Sequence, residues 1–161
     1  MKDYKFINDL KSGKFALMVK EEMTGEILNN SQEVFNVMRP IFGNTDVEMM
    51  YCIFLDSRNR VRSIELTSEG TLNASYVYPR EIIKRALAVK AAAVIMVHNH
   101  PSGDPKPSPE DKAITKVMCV ACRSVGITLH EHLICGNDTL YSFADHGEIA
   151  RISRDYNQFM S

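Results

Sequence analysis

One junction constrains this chain more than any other: the apolar run AAAVIMVHN (91–99) followed at once by HPSGDPKPSPEDK (100–112). An apolar run that does not alternate suits a strand covered on both faces, in the middle of a sheet rather than at its edge. Prolines at 101, 105, 107 and 109 then forbid any further ladder pairing and stiffen the loop after it. Gly103 and Asp104 supply the sharp turning. Ser108, Pro109, Glu110 and Asp111 form a helix start, with serine as N-cap, proline at the first position and acids in the first turn. A central strand, a rigid loop and a helix in that order predict a sheet with helices packed on it.

The flanking sequence fits that plan. VEMMYCIFLD (47–56) and VRSIELTS (61–68) are expected to be strands joined by the polar turn SRNR, and Gly70 breaks the second. YPREIIKRALAVK carries Pro79 at a helix start. Ile114, Val117, Met118, Ala121 and Val125 mark one face of a helix over 109–124, closed by Gly126. ITLHEHLIC and LYSFA form a second strand pair around GND. NNSQEVFNVMRPIF reads as a helix capped by Ser31 and ended by Pro40. KFALMVKEE (14–22) is expected as a short strand, and the residues after 150 as a short helix or frayed tail. The organisation is one domain over 31–150, with an N-terminal extension (1–30) packing on it and a C-terminal tail (151–161). The class is α/β or α+β, a mixed sheet covered by helices.

The length of 161 residues allows a core without disulfide or metal staples. A net charge of −1 creates no field to attract nucleic acid, so that partner is not expected. No uninterrupted apolar stretch approaches the roughly 18 residues of a membrane span. The N-terminal residues alternate charged and apolar without a signal-peptide core, so the expected location is the cytoplasm. There Cys52, Cys119, Cys122 and Cys135 are expected to be free thiols. Cys119 and Cys122 form a lone C-x-x-C inside a helix, read as two small buried residues.

The same junction carries the chemistry. His98 and His100 are two apart at a strand end, so their imidazoles project to one side. The stiff loop returns Asp111, eleven residues after His100, to the same place at little ordering cost. Two histidines and an aspartate are ligands that zinc accepts, and three protein ligands leave a fourth position open, as catalytic sites do. A base that does not bind the metal is then required. Glu65, a glutamate between Ile64 and Leu66, is the preferred candidate, and Glu69 beside Gly70 is its competitor.

HNHPSGDPKPSPED resembles the JAMM motif of the JAB/MPN metalloenzymes: His-x-His, ten residues, then Asp, with a Ser three before it. FLDSRNRVRSIELTSEGTLNASYVYPRE and HLICGNDTLYSFADHG extend the resemblance to the bacterial RadC-type branch, over roughly residues 31–150. The resemblance implies a cytidine-deaminase-like α/β fold, a Zn2+ site at His98, His100 and Asp111, and hydrolysis of a peptide or isopeptide amide in a protein or peptide substrate. It implies Glu65 as base and Ser108 as oxyanion support. Full-length relatives carry an N-terminal helix-hairpin-helix region, and no Gly-rich hairpin pair is visible in residues 1–30. Two other readings stand beside the hydrolase: a DNA-repair-associated protein that binds or processes nucleic acid, and an interaction module without catalysis. His130 and His132 form a second His-x-His with no rigid loop and acid behind them, and a structural role is expected. Glu131–His132 resembles the family's Asp-His, which suggests a role in the fold or behind the metal ligands. His146 is expected to be structural, and Arg80 in YPRE has no derived role. The strand 47–56 and the methionines are candidates for self-association, so a homodimer is admissible.

Overall fold

The computed structural model describes residues 14–70 and 79–161, so residues 71–78, which include most of the GTLN stretch, and the first 13 residues lie outside the described region. The elements in chain order are α1 (Lys14–Met23), α2 (Ser31–Phe42), β1 (Met49–Leu55), β2 (Val61–Glu69), α3 (Pro79–Ala88), β3 (Ala93–Asn99), α4 (Pro109–Ser124), β4 (Thr128–Cys135), β5 (Leu140–Ser142) and α5 (Glu148–Met160).

The strands form one mixed sheet in the order β2-β1-β3-β4-β5. β1 runs antiparallel to both β2 and β3, β3 is parallel to β4, and β4 is antiparallel to β5. β3 is central, as its unbroken apolar run predicts, and all seven of its residues are buried. Alternate residues of β1 and β3 face opposite layers. Met50, Cys52, Phe54, Val94 and Met96 pack with the apolar faces of α3, α4 and α5. Tyr51, Ile53, Ile95 and Val97 pack with α2 and, through Val19 and Met23, with α1. The result is a sheet between two helical layers.

Three local expectations are corrected, and of the two readings for the residues after 150 the helix is the one found. Residues 14–22 are helical rather than a strand: Val19 and Met23, one turn apart, anchor α1 on the sheet, and the segment is rich in helix formers. Asn30, not Ser31, caps α2, its side chain accepting the Glu33 N–H at 2.9 Å. Ser31 instead donates to Asp145 Oδ2 at 2.6 Å. Pro40 does not end α2, which continues to Phe42 and closes through the Gly43 N–H on the Arg39 carbonyl. Burial of Ile41 and Phe42 outweighs the one bond that the proline removes. Residues 151–160 continue α5, held to α4 by Arg123 on Asn157 and by Cys119 beside Ser153.

The strand proposed for self-association is β1, which lies between β2 and β3 and has no free edge. Met38, Met50, Met96 and Met118 are likewise taken up by the core. All four cysteines are free and buried. Burial pushes the Cys52, Cys122 and Cys135 thiols up to about 12, so they are inert fillers rather than nucleophiles. No helix among the described residues is long and apolar enough to cross a membrane.

Candidate metal centre

His98 is the sixth residue of β3 and shares its face with Met96, towards α4. His100 follows by two and points the same way, its N–H donating to the Cys135 carbonyl at 2.8 Å. The loop then doubles back. The Gly103 N–H donates to the His100 carbonyl at 2.9 Å, and Gly103 has φ +89°. It packs so closely on the β4–β5 turn that an added Cβ would lie 2.6 Å from Asn137 Nδ2. Gly136, across from it, has no room for a Cβ against the Gly103 carbonyl. Two glycines thus let two loops touch, and that contact sets where the loop returns.

The return ends in a capping box. The Asp111 N–H donates to Ser108 Oγ at 3.1 Å, and the Ser108 N–H donates to Asp111 Oδ2 at 2.8 Å. Asp111 is therefore held at its backbone and at its carboxylate. The cap uses a lone pair of Ser108, which leaves its hydroxyl proton to be donated elsewhere.

The three expected ligands meet. His98 Nε2 and His100 Nε2 are 3.1 Å apart. Asp111 Oδ1 lies 3.2 Å from His98 Nε2, and Oδ2 lies 3.1 Å from His100 Nε2. His98 and Asp111 are buried, and His100 is only partly open.

The outer nitrogens determine what those inner atoms are. His100 Nδ1 lies 2.8 Å from the Asp104 carbonyl, which only accepts, so Nδ1 carries the proton and Nε2 a lone pair. Thr115 Oγ1 donates to the Asp111 carbonyl at 2.7 Å, so it accepts from His132 Nδ1 at 2.6 Å. His132 Nε2 is then an acceptor and receives the proton of His98 Nδ1 at 2.8 Å. His98 Nε2 is left with a lone pair. With both imidazoles neutral, three acceptors face one point with no proton among them, an arrangement that asks for a cation.

A divalent metal fits. Tetrahedral ligands about 2.0–2.1 Å from zinc lie about 3.3 Å from one another, close to the 3.1–3.2 Å separations here. All three ligand atoms lie within 4.8 Å of one another, and this is the His/Cys/Asp/Glu group that could hold a metal among the described residues.

The electrostatics favour positive charge at this point, whether a proton or a metal ion carries it. Burial opposes ionisation of Asp111, but the adjacent His100 and His98 imidazoles and the Ser108 N–H outweigh it and hold its carboxyl far below the usual carboxylate range, so it is an anion. Burial also opposes a charge on His100, yet the Asp111 carboxylate and the Asp104 carbonyl outweigh it and raise its pKa, with Glu48 adding attraction, so a proton competes with a metal ion for the Nε2 lone pair. Complete burial and the neighbouring His98 push His132 well below the ordinary imidazole value, so it is neutral.

The structure does not bring Glu65 to this cluster. β2 is separated from β3 by β1, and Glu65 stands opposite Cys52, which stands opposite Met96. Both of its carboxylate oxygens are engaged: Arg85 Nε donates to one at 2.7 Å and Ser63 Oγ to the other at 2.8 Å. Glu69 lies opposite Met49 at the end of β2 and is exposed. Arg80 is exposed in the first turn of α3.

Glu48 was missed by the sequence reading. The β1–β3 register pairs Met50 with His98 at its end, and Glu48, two residues before Met50, lies near enough to His100 for its charge to raise the imidazole pKa. The Asn99 side chain holds that segment, accepting the Met49 N–H at 2.7 Å and donating to the Val47 carbonyl at 3.0 Å. Glu48 thus sits between two residues tied to the end of β3. A polar cavity of about 440 Å³ opens beside His100, lined among others by Asn44, Asn99, Asn137, Arg39 and Asp138.

The second His-x-His separates. A register shift in β3–β4 leaves His130 exposed on Asn59 Oδ1 at 2.9 Å, while His132 turns inward. Glu131 accepts the His132 N–H, the Ala144 N–H and the Ser142 hydroxyl, tying β4 to the segment before α5. His146 stacks on Tyr141 and bonds the Ser142 carbonyl.

Comparison with known proteins gives a consistent result. A family profile described as RadC-like JAB domain matches residues 28–148. The UPF0758 protein STH371 of Symbiobacterium thermophilum is 43% identical over 120 residues, 74% of this chain and 51% of that protein. A UPF0758 protein of Ralstonia pickettii is 35% identical over 158 residues, 91% of this chain and 70% of that protein. One of Pseudomonas fluorescens is 40% identical over 121 residues, covering 75% of this chain and 54% of the relative. The chain thus matches about half to two-thirds of the length of these curated relatives.

Proposed function

This chain belongs to the RadC-like JAB domain family, and we propose that it is a zinc-dependent hydrolase that cleaves an amide bond, peptide or isopeptide, in a protein or peptide substrate. The observation that carries this reading is the convergence of three metal-ligating atoms, His98 Nε2, His100 Nε2 and an Asp111 carboxylate oxygen, at separations that suit one small cation. His98, His100 and Asp111 would hold the ion. Such an ion supplies Lewis acidity, which makes water a nucleophile near neutral pH and polarises an amide carbonyl.

The remaining work falls to this chain's own groups. Glu48, whose charge acts on His100, accepts the proton that the attacking water gives up and returns it to the leaving amine. Glu65 is not suited to that task, because its carboxylate is bound to Arg85 and Ser63 on a strand two away. Ser108 keeps a hydroxyl proton for the developing oxyanion. The cavity beside His100, rich in carboxamides, suits the alternating donors and acceptors of an extended polypeptide.

The test is metal content and turnover of the purified protein. About one zinc per chain is expected, lost in His100→Ala and Asp111→Ala. Glu48→Gln is expected to keep the zinc and lower hydrolysis of a peptide or isopeptide library by about 10²–10⁴-fold, while Glu65→Gln keeps both. A wild type that binds no zinc when it is offered would overturn the hydrolase reading in favour of an interaction module. Turnover undiminished in Glu48→Gln would overturn the assignment of the base.

A further inference from the structure

Three acceptors can face a cation only if each imidazole keeps its proton on the outer nitrogen. In a neutral histidine that choice is set by the partner of the other nitrogen. For His100 the partner is a main-chain carbonyl, and the choice is local to the loop. For His98 the partner is His132 Nε2, itself a group with two tautomers. Nothing about the His98–His132 pair alone decides which nitrogen donates. The decision is made one residue further on, at Thr115.

Thr115 sits in the second turn of α4, four residues after Asp111, and is fully buried. Its single proton goes to the Asp111 carbonyl, so towards His132 it offers only a lone pair. That makes His132 Nδ1 the donor, frees Nε2 to accept, and makes His98 Nδ1 the donor in turn. His132 has no freedom to turn away, since its ring stacks on Phe143 at 4.8 Å with planes 6° apart. The chain of bonds begins and ends at ligands, running from the Asp111 backbone through Thr115 and His132 to His98.

The geometry points to Thr115 and His132 as positioning residues that hold His98 in its metal-binding tautomer, with the threonine hydroxyl setting the direction of the chain. The inference deepens the zinc reading of this site and rests on it for its functional meaning. It also assigns the link behind His98 to a neutral imidazole, where ligand histidines commonly use a carboxylate or a carbonyl. Asp111 then remains the one anion among the atoms that face the ion.

The experiment uses the full chain, zinc competed against a chromophoric chelator, and ¹⁵N–¹H imidazole spectra of the metal-free protein. In the wild type, His98 and His132 are both expected as Nδ1–H tautomers. Thr115→Val removes the acceptor and is expected to disturb both tautomers and weaken zinc binding by about 10–100-fold. Thr115→Ser restores the hydroxyl and is expected to restore both readouts. His132→Gln retains an acceptor for His98 and a donor for Thr115, so it should bind zinc more tightly than His132→Leu. Wild-type tautomers and affinity in Thr115→Val would overturn the relay, as would equal losses in Thr115→Val and Thr115→Ser. If the wild type binds no zinc, the metal reading fails, while the spectra of the metal-free protein still decide the relay.

Discussion

At the scale of single residues, each ligand imidazole has its second nitrogen committed, one to the Asp104 carbonyl and one to His132. Glu65 shows the opposite case, a carboxylate whose partners belong to the fold. Burial works to raise its pKa, but the Arg85 and Ser63 bonds outweigh that and leave it below its ordinary value of 4.5. A depressed carboxylate stabilises the folded state above its unfolded value and loses that contribution as pH falls through the folded one. Wild type is therefore expected to melt slightly higher than Glu65→Gln at pH 7, with the difference closing below pH 4.5. Because Arg85 is half exposed, the effect at pH 7 should be small and shrink with added salt. Thermal melts of both proteins across that range check it. A difference that widens on acidification would mean that Glu65 is not held by Arg85 in solution.

At the scale of elements, the site depends on a strand, a loop and a helix start whose relative placement is set by two loops in contact. Gly103 combines a positive φ with a neighbour too close for a side chain. Gly103→Ala is expected to destabilise the fold by on the order of 1–3 kcal/mol. It should also weaken zinc binding, because the same loop carries the Asp104 carbonyl that orients His100. Denaturant titration and zinc competition measure the two effects separately. Loss of stability with unchanged zinc affinity would show that the ligands do not depend on that loop contact. The elements themselves were largely legible. β3 and α4 follow from an apolar run and from a serine–proline helix start. α1 was misread because a ten-residue segment with scattered apolar residues suits either period until its packing partner is known.

At the scale of the whole molecule, the ligands come from two elements, β3 with its following loop and the start of α4, and their supports come from β4 and from the segment before β1. Ion binding should therefore stabilise the entire fold. By linkage, zinc at 100 times its dissociation constant adds about 2.7 kcal/mol, so Tm should rise on loading and fall with a chelator. His100→Ala should show neither shift. An unchanged Tm in a wild type shown by analysis to contain zinc would mean that the site is not coupled to folding.

The sequence by itself determined the candidate ligand set, because His98, His100 and Asp111 belong to one short segment and local geometry suffices to bring them together: a two-residue strand period, stiff prolines and a capping box. It also determined the central strand, whose apolar run needs cover on both faces. Glu48 and Thr115, and the bond that puts His132 rather than Glu131 behind His98, were decided only by the tertiary structure. Glu48 comes near His100 because the β1–β3 register, fixed by side chains packing on two faces of a sheet, sets the adjoining Met50 against His98. His132 and Thr115 matter only because parallel pairing of β3 with β4 and the seat of α4 bring them within hydrogen-bond distance of each other and of His98. A tautomer is a property of such neighbours. Chain segments far apart in sequence settle it by where they pack, and no local pattern records that.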